Sequence, residues 1–346
     1  MKSRFLLSLF VLGAALGVQA SAETLWIKAE NNNLEKVDGS VNETIVVQAD
    51  STIGKVENTV NYINVQANLT VNSDLDVNQI NMNQYQGNDS LTVKGNLTVN
   101  GQLNVDKTHS VTVSGTTTLN GGTTVSQLTG SAKLTTQKLV INGQTKLSAG
   151  GHIVADEVVV NHTFSPLSGS TISTASGEPG ALTVKEGGHV WQQGGAITMA
   201  TVVDGGQMTM SGGSFDSLEL KEGTLNVNGD IATGALTLNG GEVIFSEGAS
   251  LDLGGESLVL SDNVTITIKA SSLDAIVSQD YVLFTNVEGI EGADLTINID
   301  AGDAGTSTVK LAMAQNGSVV VVVPEPATAT LSLLALCGLA ARRRRK

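Results

Sequence analysis

Apolar and polar residues alternate over short segments through most of the chain. Representative segments are "LTVNSDLDVN" from Leu69, "LTVKGNLTVNGQLNV" from Leu91 and "LTLNGGEVIFSEG" from Leu236. Each has an apolar-x-apolar unit, one or two polar residues, and then Gly or Asn. A period of two predicts a short strand with one buried face, and Gly or Asn permits the sharp turn that follows it.

The close spacing of these units favours a coil over hairpins. Units begin at Leu91, Leu97 and Leu103, whereas hairpins in a sandwich show turns about every 8–12 residues. Three short strands per coil, at roughly 20 residues per coil, predict about ten coils between Leu69 and Ile268. The fold class is therefore all-β, a parallel β-helix (a solenoid). Its irregular spacing favours the right-handed form, since left-handed hexapeptide helices keep a stricter count.

The segments that flank the repeats differ from them, as capping segments do. Residues 23–68 are rich in Asn and Val and are predicted to form an N-terminal cap and the first strands. The repeats occupy residues 69–269. Residues 270–323 are predicted to form a small β-rich cap, with a short helix at 272–277, over the open end of the stack.

The N-terminus has the pattern of a secretory signal peptide. Lys2 and Arg4 precede the apolar segment Phe5–Val18, and small residues follow it. This order predicts that residues 1–22 are removed on export. The residues predicted to surround the cleavage point are Ala20, Ala22 and Glu23.

The C-terminal segment 324–346 has three parts: the tripeptide Pro324, Glu325, Pro326, the apolar segment 327–341, and a basic end. The apolar segment, predicted to be a hydrophobic helix, is short against the roughly 20 residues of a spanning helix. We therefore expect a temporary hold in the cytoplasmic membrane. The basic residues that would stay on the cytoplasmic side are Arg342, Arg343, Arg344, Arg345 and Lys346.

Charge and cysteine content narrow the function classes. Without the two terminal segments the chain keeps 12 basic and 32 acidic residues, a net charge of −20 against −14 for the whole sequence. Every arginine lies in those two segments. An acidic protein without guanidinium groups is a poor partner for nucleic acid. The single cysteine, Cys337, allows no intramolecular disulfide.

The sequence offers little for catalysis. His109, His152, His162 and His189 are scattered, which indicates surface histidines rather than metal ligands, and no cofactor or metal is predicted. Parallel β-helices include polysaccharide lyases and hydrolases, so the pair Asp74 and Asp76 is a candidate sugar or Ca²⁺ site. The periodicity favours a solvent-facing pair on one strand.

Threonines from Thr112 to Ser126 raise a further alternative, because rows of threonine on a flat face occur in ice-binding solenoids. The β-propensity of threonine explains them equally well. In the sequence these rows give way to Lys, Glu, Asn and Asp in later coils. Ice binding is therefore kept as a minor alternative.

The C-terminal tail closely resembles the PEP-CTERM sorting signal. The resemblance rests on Pro324-Glu325-Pro326, the apolar stretch and the basic end, about the last 23 residues. It implies processing by an exosortase, a membrane transpeptidase of Gram-negative bacteria that also make exopolysaccharide. The same short domain is sometimes catalogued as an ice-binding protein C-terminal domain. The repeats also resemble the passenger coils of autotransporters, although no outer-membrane barrel follows them.

These observations predict an exported protein without enzymatic activity, which serves as a structural or adhesive component of the cell surface or extracellular matrix. The expected partners are an exosortase-type processing enzyme and glycans or neighbouring envelope proteins. The alternative is a polysaccharide-active enzyme, a lyase or hydrolase, on the same fold.

Overall fold

A computed structural model describes residues 23–29, 32–82, 88–121, 126–175, 180–271, 281–292, 297–300, 306–313 and 317–322. The strands of the N-terminal part are β1 (Thr24–Ile27), β2 (Asn33–Asp38), β3 (Thr44–Val47), β4 (Ser51–Glu57), β5 (Val60–Val65), β6 (Leu69–Val71), β7 (Leu75–Met82), β8 (Ser90–Val93), β9 (Leu97–Val105) and β10 (Ser110–Val113). The strands of the middle part are β11 (Thr116–Leu119), β12 (Ser126–Leu128), β13 (Lys133–Ile141), β14 (Thr145–Leu147), β15 (His152–Val160), β16 (Thr163–Pro166), β17 (Thr171–Ser173), β18 (Ala181–Lys185) and β19 (His189–Val227). The strands of the C-terminal part are β20 (Asp230–Leu238), β21 (Gly241–Ser246), β22 (Ser250–Asp252), β23 (Leu258–Leu260), β24 (Val264–Lys269), β25 (Val282–Thr285), β26 (Ile290–Gly292), β27 (Ile297–Asp300), β28 (Thr306–Met313) and β29 (Val319–Val322).

The strands stack in parallel into a β-solenoid of about 12 turns with three flat faces, which confirms the predicted fold class. Successive turns have unequal lengths: the paired residues Ile45, Ile63, Ile80 and Leu103 lie 18, 17 and 23 residues apart. The strands keep their register with the neighbouring turns although the number of residues per turn varies. The right-handed coil stays a prediction.

The three faces are built from different strands. The first face begins with β1, β3 and β5 and continues through β12, β14 and β16 to β21, β24 and β27. The second face contains β6, β8, β10 and β17. The third face contains β11, β18, β23 and β26. Longer strands such as β13 and β15 turn a corner and contribute to both the second and the third face.

The core consists of aliphatic side chains stacked in columns. On the second face Leu69, Leu91, Val111 and Leu134 occupy equivalent positions in four successive turns, and none is more than 1% exposed. The intervening residues point to solvent, as the period of two predicts. Because each short strand buries only two or three side chains, the stabilisation comes from the stacking of neighbouring turns.

The two ends of the described coil differ. The parallel ladder already includes β1, which pairs with β3, and β2, which pairs with β4. Residues 24–65 are therefore turns of the solenoid, because their inward positions carry Val and Ile like those of the later repeats. At the other end β27, β28 and β29 pair antiparallel, and β29 also pairs with β25. This change of direction ends the coil.

One corner, between the third and first faces, needs glycine because neighbouring turns approach closely there. Gly223 has φ +97°, and a Cβ on it would lie 2.1 Å from the carbonyl oxygen of Gly206. A Cβ on Gly241 would likewise lie 2.5 Å from the carbonyl oxygen of Gly223. These contacts are too short for any side chain, so glycine recurs at this corner.

Several sequence predictions lie outside the described residues: the signal segment 1–22, the short helix at 272–277 and the hydrophobic helix at 327–341. Within the described ranges, no helix has the length and apolar character needed to cross a membrane.

Candidate functional site

The predicted acidic pair lies at the solvent face of the solenoid. Asp74 and Asp76 are exposed and line a cavity of about 480 Å³ together with residues of the adjacent turns. Oδ1 of Asp74 accepts hydrogen bonds from the backbone N–H of Asn96 at 2.7 Å and from its Nδ2 at 3.3 Å. Oδ1 of Asp76 accepts one from Nδ2 of Asn100 at 2.7 Å. Each carboxylate thus binds the next turn of its own protein.

Asp76 begins a directional column of side-chain amides, here called the asparagine ladder: Asp76, Asn100, Asn120, Asn142 and Asn161. In each step the Nδ2 of one asparagine donates to the side-chain oxygen one turn nearer the N-terminus, at distances of 2.7, 2.9, 3.0 and 2.8 Å. The first member, Asp76, only has to accept a hydrogen bond, and a carboxylate is an acceptor without a donor group. The ladder follows the corner between the third and first faces and connects five turns.

A second outward column lies on the second face. Thr52, Thr70, Thr92, Thr112 and Thr135 occupy equivalent positions in five successive turns, and this set is here called the threonine row. The next positions are Val154, Ser173 and Thr198. As far as Thr198 the outward positions of this column stay small and uncharged, whereas on a later turn the charged Asp252 pairs with Ala232.

The quoted threonines from Thr112 onward do not form one row. Thr112 lies on the second face and Thr116 on the third, since a corner separates them. Thr117 is fully buried, and its Oγ1 donates to Oγ1 of the buried Thr136 at 3.0 Å. Rows therefore arise between turns and not along the sequence.

The first face carries an outward column, here called the first-face row: Trp26, Val46, Asn64, Asn81, Asn104, Gln127, Lys146 and Ser165. Trp191 extends this row. Phe164 pairs with Val190 on the next turn, so the residues that follow them, Ser165 and Trp191, are also neighbours. Trp26 and Trp191, the two tryptophans of the chain, are 49% and 45% exposed. Tryptophan is enriched at interfaces, because it combines a large apolar ring with an N–H donor.

Trp191 lies against His189, two residues before it on the same strand. The two rings are nearly parallel, with an angle of 7° and centroids 6.5 Å apart. Nε2 of His189 lies 3.0 Å from Oγ1 of Thr209 in the next turn. Burial lowers the pKa of His189, so the imidazole is neutral at neutral pH. The pair forms an uncharged aromatic surface.

The other histidines differ from one another. His162 is exposed, and His152 contacts Oγ1 of Thr171 through its Nδ1. The interpretation of all four as surface residues is wrong for His109, which is 1% exposed. Its Nδ1 accepts a hydrogen bond from the backbone N–H of Asp89 at 3.1 Å, so it ties two turns together at a corner. Among the residues with described coordinates, no group of three or more His, Cys, Asp or Glu side chains is arranged to hold a metal.

Several lysines are paired with acidic residues on neighbouring turns. Lys36 contacts Glu57, Lys138 contacts Glu157 at 2.8 Å, and Lys185 contacts Asp204. The hydrogen bond from Lys185 lowers the pKa of Asp204. Like the hydrogen bonds of the asparagine ladder, these ion pairs connect neighbouring turns. The lysine and carboxylate charges therefore neutralise each other within the solenoid.

Of the residues predicted to direct export and sorting, Glu23 is the first described residue, and its N–H donates to the carbonyl oxygen of Val41. Ala20, Ala22, Pro324, Glu325, Pro326 and the arginines 342–345 lie outside the described residues.

The fold and its columns define a parallel β-solenoid whose flat faces present rows of mainly polar side chains. Residues 322–346 match the PEP-CTERM protein-sorting motif, which confirms the resemblance of the tail. The motif implies an exported protein that is sorted while anchored at a membrane and is processed by an exosortase. No curated protein and no solved structure matches the chain.

Proposed function

We propose that the protein is a structural or adhesive component of the cell envelope or extracellular matrix, without enzymatic activity, and that it contacts glycans through the flat faces of the solenoid. The observation that carries this proposal is the set of outward rows that run along successive turns. Rows of amides and hydroxyls offer repeated hydrogen-bonding groups over a long surface, which suits binding to a polymer.

The state of the acidic pair supports binding over catalysis. A glycoside hydrolase needs two carboxyl groups placed on either side of the scissile bond, with one of them able to hold a proton. Asp74 and Asp76 instead lie side by side on the solvent face and accept hydrogen bonds from the next turn. A lyase needs a cation beside the developing negative charge, whereas the described residues that line the cavity with Asp74 and Asp76 carry apolar, amide or hydroxyl side chains.

The first test of this proposal is a binding and product assay. The full-length chain, purified in mild detergent, is incubated with insoluble neutral glycans and with soluble polygalacturonate and alginate. We expect retention on at least one glycan without release of new reducing ends or unsaturated products. Product release would favour the enzyme, and retention on none of the glycans would overturn the adhesive function.

The route to the surface is tested in the native host by mass spectrometry of the C-terminal peptide. If an exosortase cuts the tail, the released protein ends near Pro324, Glu325 and Pro326. An intact arginine tail in the membrane fraction, without a shortened form outside, would contradict processing.

A second candidate function, ice binding, is favoured by the threonine row on the second face. Its five threonines repeat once per turn at about 4.8 Å, and such spacing presents hydroxyl and methyl groups in a regular line. The test is inhibition of ice recrystallisation by the full-length chain, compared with the Thr92→Lys variant. Equal activity of the two proteins, or no activity in either, would remove this candidate.

A further inference from the structure

The surface around Trp191 differs from the rest of the first-face row because an aromatic pair stands among accessible polar groups. Trp191 is 45% exposed, and its ring is nearly parallel to that of His189. Ser165 lies beside Trp191 on one side, and Lys146 is the residue next to Ser165 in the row. On the other side Oγ1 of Thr209 holds His189.

This arrangement provides two kinds of contact at once. The indole face is flat, apolar and fixed by its neighbour, so little conformational entropy is lost when a ligand covers it. The surrounding hydroxyl and ammonium groups can hydrogen-bond to a ligand that is polar at its edge. A pyranose ring has this combination, because its C–H groups form an apolar face and its hydroxyls form a polar rim.

The charge of the protein restricts the ligand further. The chain carries a net charge of −14, and the part without the terminal segments carries −20, which repels a polyanion. Lys185, near this part of the coil, already contacts Asp204. A neutral glycan avoids the repulsion that a uronate polymer would meet.

We propose that Trp191, supported by His189, is the stacking residue of a subsite for a neutral glycan, which lies along the solenoid axis with hydroxyls directed to Ser165, Lys146 and the neighbouring positions of the first-face row. This inference rests on the proposed glycan-binding function and names the ligand class and the residue that anchors it. The axial direction follows from the row, since neighbouring turns offer one polar side chain about every 4.8 Å in that direction.

Trp26 provides a matched comparison within the same row. Its exposure is nearly that of Trp191, but the next two residues of the row are buried. Val46 is 7% exposed and Asn64 is 8% exposed. A glycan stacked on Trp26 would lack accessible polar partners in the adjacent turns. We therefore assign the subsite to Trp191 alone.

The experiment measures binding of cellohexaose, chitohexaose and maltohexaose to the full-length chain by isothermal titration calorimetry, with polygalacturonate as the anionic probe. The variants are Trp191→Ala, Trp191→Phe, His189→Ala and, as the control, Trp26→Ala. Loss of the indole should weaken binding of the preferred neutral probe by about tenfold or more. The phenylalanine variant should keep part of the affinity, and Trp26→Ala should keep nearly all of it. Far-UV circular dichroism checks that each variant retains the fold.

The outcomes separate this inference from the function on which it rests. Unchanged affinity in Trp191→Ala, an equal loss in Trp26→Ala, or preference for polygalacturonate would overturn the subsite while leaving glycan adhesion intact. Absence of binding to every glycan, by the wild-type chain in this assay and on insoluble glycans, would overturn both.

Discussion

The hydroxyl of Tyr281 connects the last turns of the coil. It accepts a hydrogen bond from the backbone N–H of Gly248 at 2.7 Å and donates one to the carbonyl oxygen of Ser246 at 2.9 Å. The side chain is 8% exposed, and burial raises the pKa of Tyr281 above its ordinary value, so the hydroxyl keeps the proton that it donates. One residue thus satisfies two backbone groups of a turn 33 to 35 positions earlier.

Removal of this hydroxyl should destabilise the end of the solenoid. In Tyr281→Phe the N–H of Gly248 loses its partner, and the carbonyl oxygen of Ser246 keeps only the hydrogen bond from the N–H of Ala249. Because the packing stays, the change should cost about 2 kcal/mol in the free energy of unfolding. Tyr62→Phe is the control. Its hydroxyl accepts a hydrogen bond from Nδ2 of Asn81, a side-chain group, at 3.1 Å, so its loss should cost less. Urea unfolding followed by circular dichroism measures both. An equal loss in the two variants would contradict the special role of Tyr281.

Individual polar residues show where the sequence reaches its limit at this scale. Alternation correctly predicts that Asp74 and Asp76 face solvent. Asp76 occupies an outward position of β7, and Asp74 directly precedes that strand. It does not predict that His109 is buried, because His109 lies at a corner, where the period of two is interrupted. The period of two places His189 and Trp191 on the same side of one strand. The sequence does not show which residues of the adjacent turns surround them.

At the level of the corner, glycine determines how closely two turns can approach. Gly223 and Gly255 have almost the same φ, +97° and +96°. A Cβ on Gly223 would meet the carbonyl oxygen of Gly206, whereas a Cβ on Gly255 would meet nothing within 4 Å. The two positions therefore separate the conformational cost of a side chain from its steric cost.

Alanine substitution at these two corners should give different losses of stability. Gly255→Ala should cost about 1 kcal/mol in the free energy of unfolding, because an L-residue disfavours positive φ. Gly223→Ala should cost roughly 2 kcal/mol more, since the turns must move apart. Urea unfolding of both variants measures the difference. Equal values would show that the corner relaxes without cost.

The strands were predictable from the sequence, but their register was not. Short apolar-x-apolar units fix which residues of a strand point inward, as in Leu91 and Val93. The length of each turn depends on corner residues that obey no period, so the neighbours across turns could not be read from the sequence. The threonine row and the asparagine ladder consist of such neighbours. The sequence suggests rows of threonine but not which threonines form them, and it does not predict the asparagine ladder.

At the scale of the whole molecule, several carboxylates accept hydrogen bonds from side chains of neighbouring turns. The hydrogen bond from Asn286 to Asp252 lowers the pKa of that carboxyl group, as the bond from Asn58 does for Asp38. The hydroxyl of Thr129 has the same effect on Asp106. Each lowered pKa means that the folded state binds a proton less readily than the unfolded chain.

The stability of the solenoid should therefore fall in acid. The contribution of these groups is fully present above the unfolded pKa of about 4 and is lost as the pH falls through the lower folded pKa values. We expect an almost constant melting temperature from pH 7 to about pH 5 and a decrease below pH 4. Calorimetry or circular dichroism measures the melting temperature.

Asp252→Asn serves as the control for this acid effect. It removes one carboxylate that binds the N–H of Gly254 at 3.0 Å and the amide of Asn286 at 2.8 Å. The variant should lose stability at neutral pH and show a smaller decrease in acid. A melting temperature that rises between pH 5 and pH 3 would be inconsistent with the lowered pKa values.

The antiparallel end of the coil has a mechanical consequence. The sorting motif begins at residue 322, the last residue of β29, so a membrane anchor there pulls first on a strand that is held by β28 and β25. Hydrogen bonds between turns run along the axis of the rod, and tension in that direction breaks them one after another. Each released turn of roughly 20 residues adds about 65 Å of extended chain. While it is anchored, the solenoid can thus lengthen turn by turn under an axial load, which limits the force that reaches its attachment.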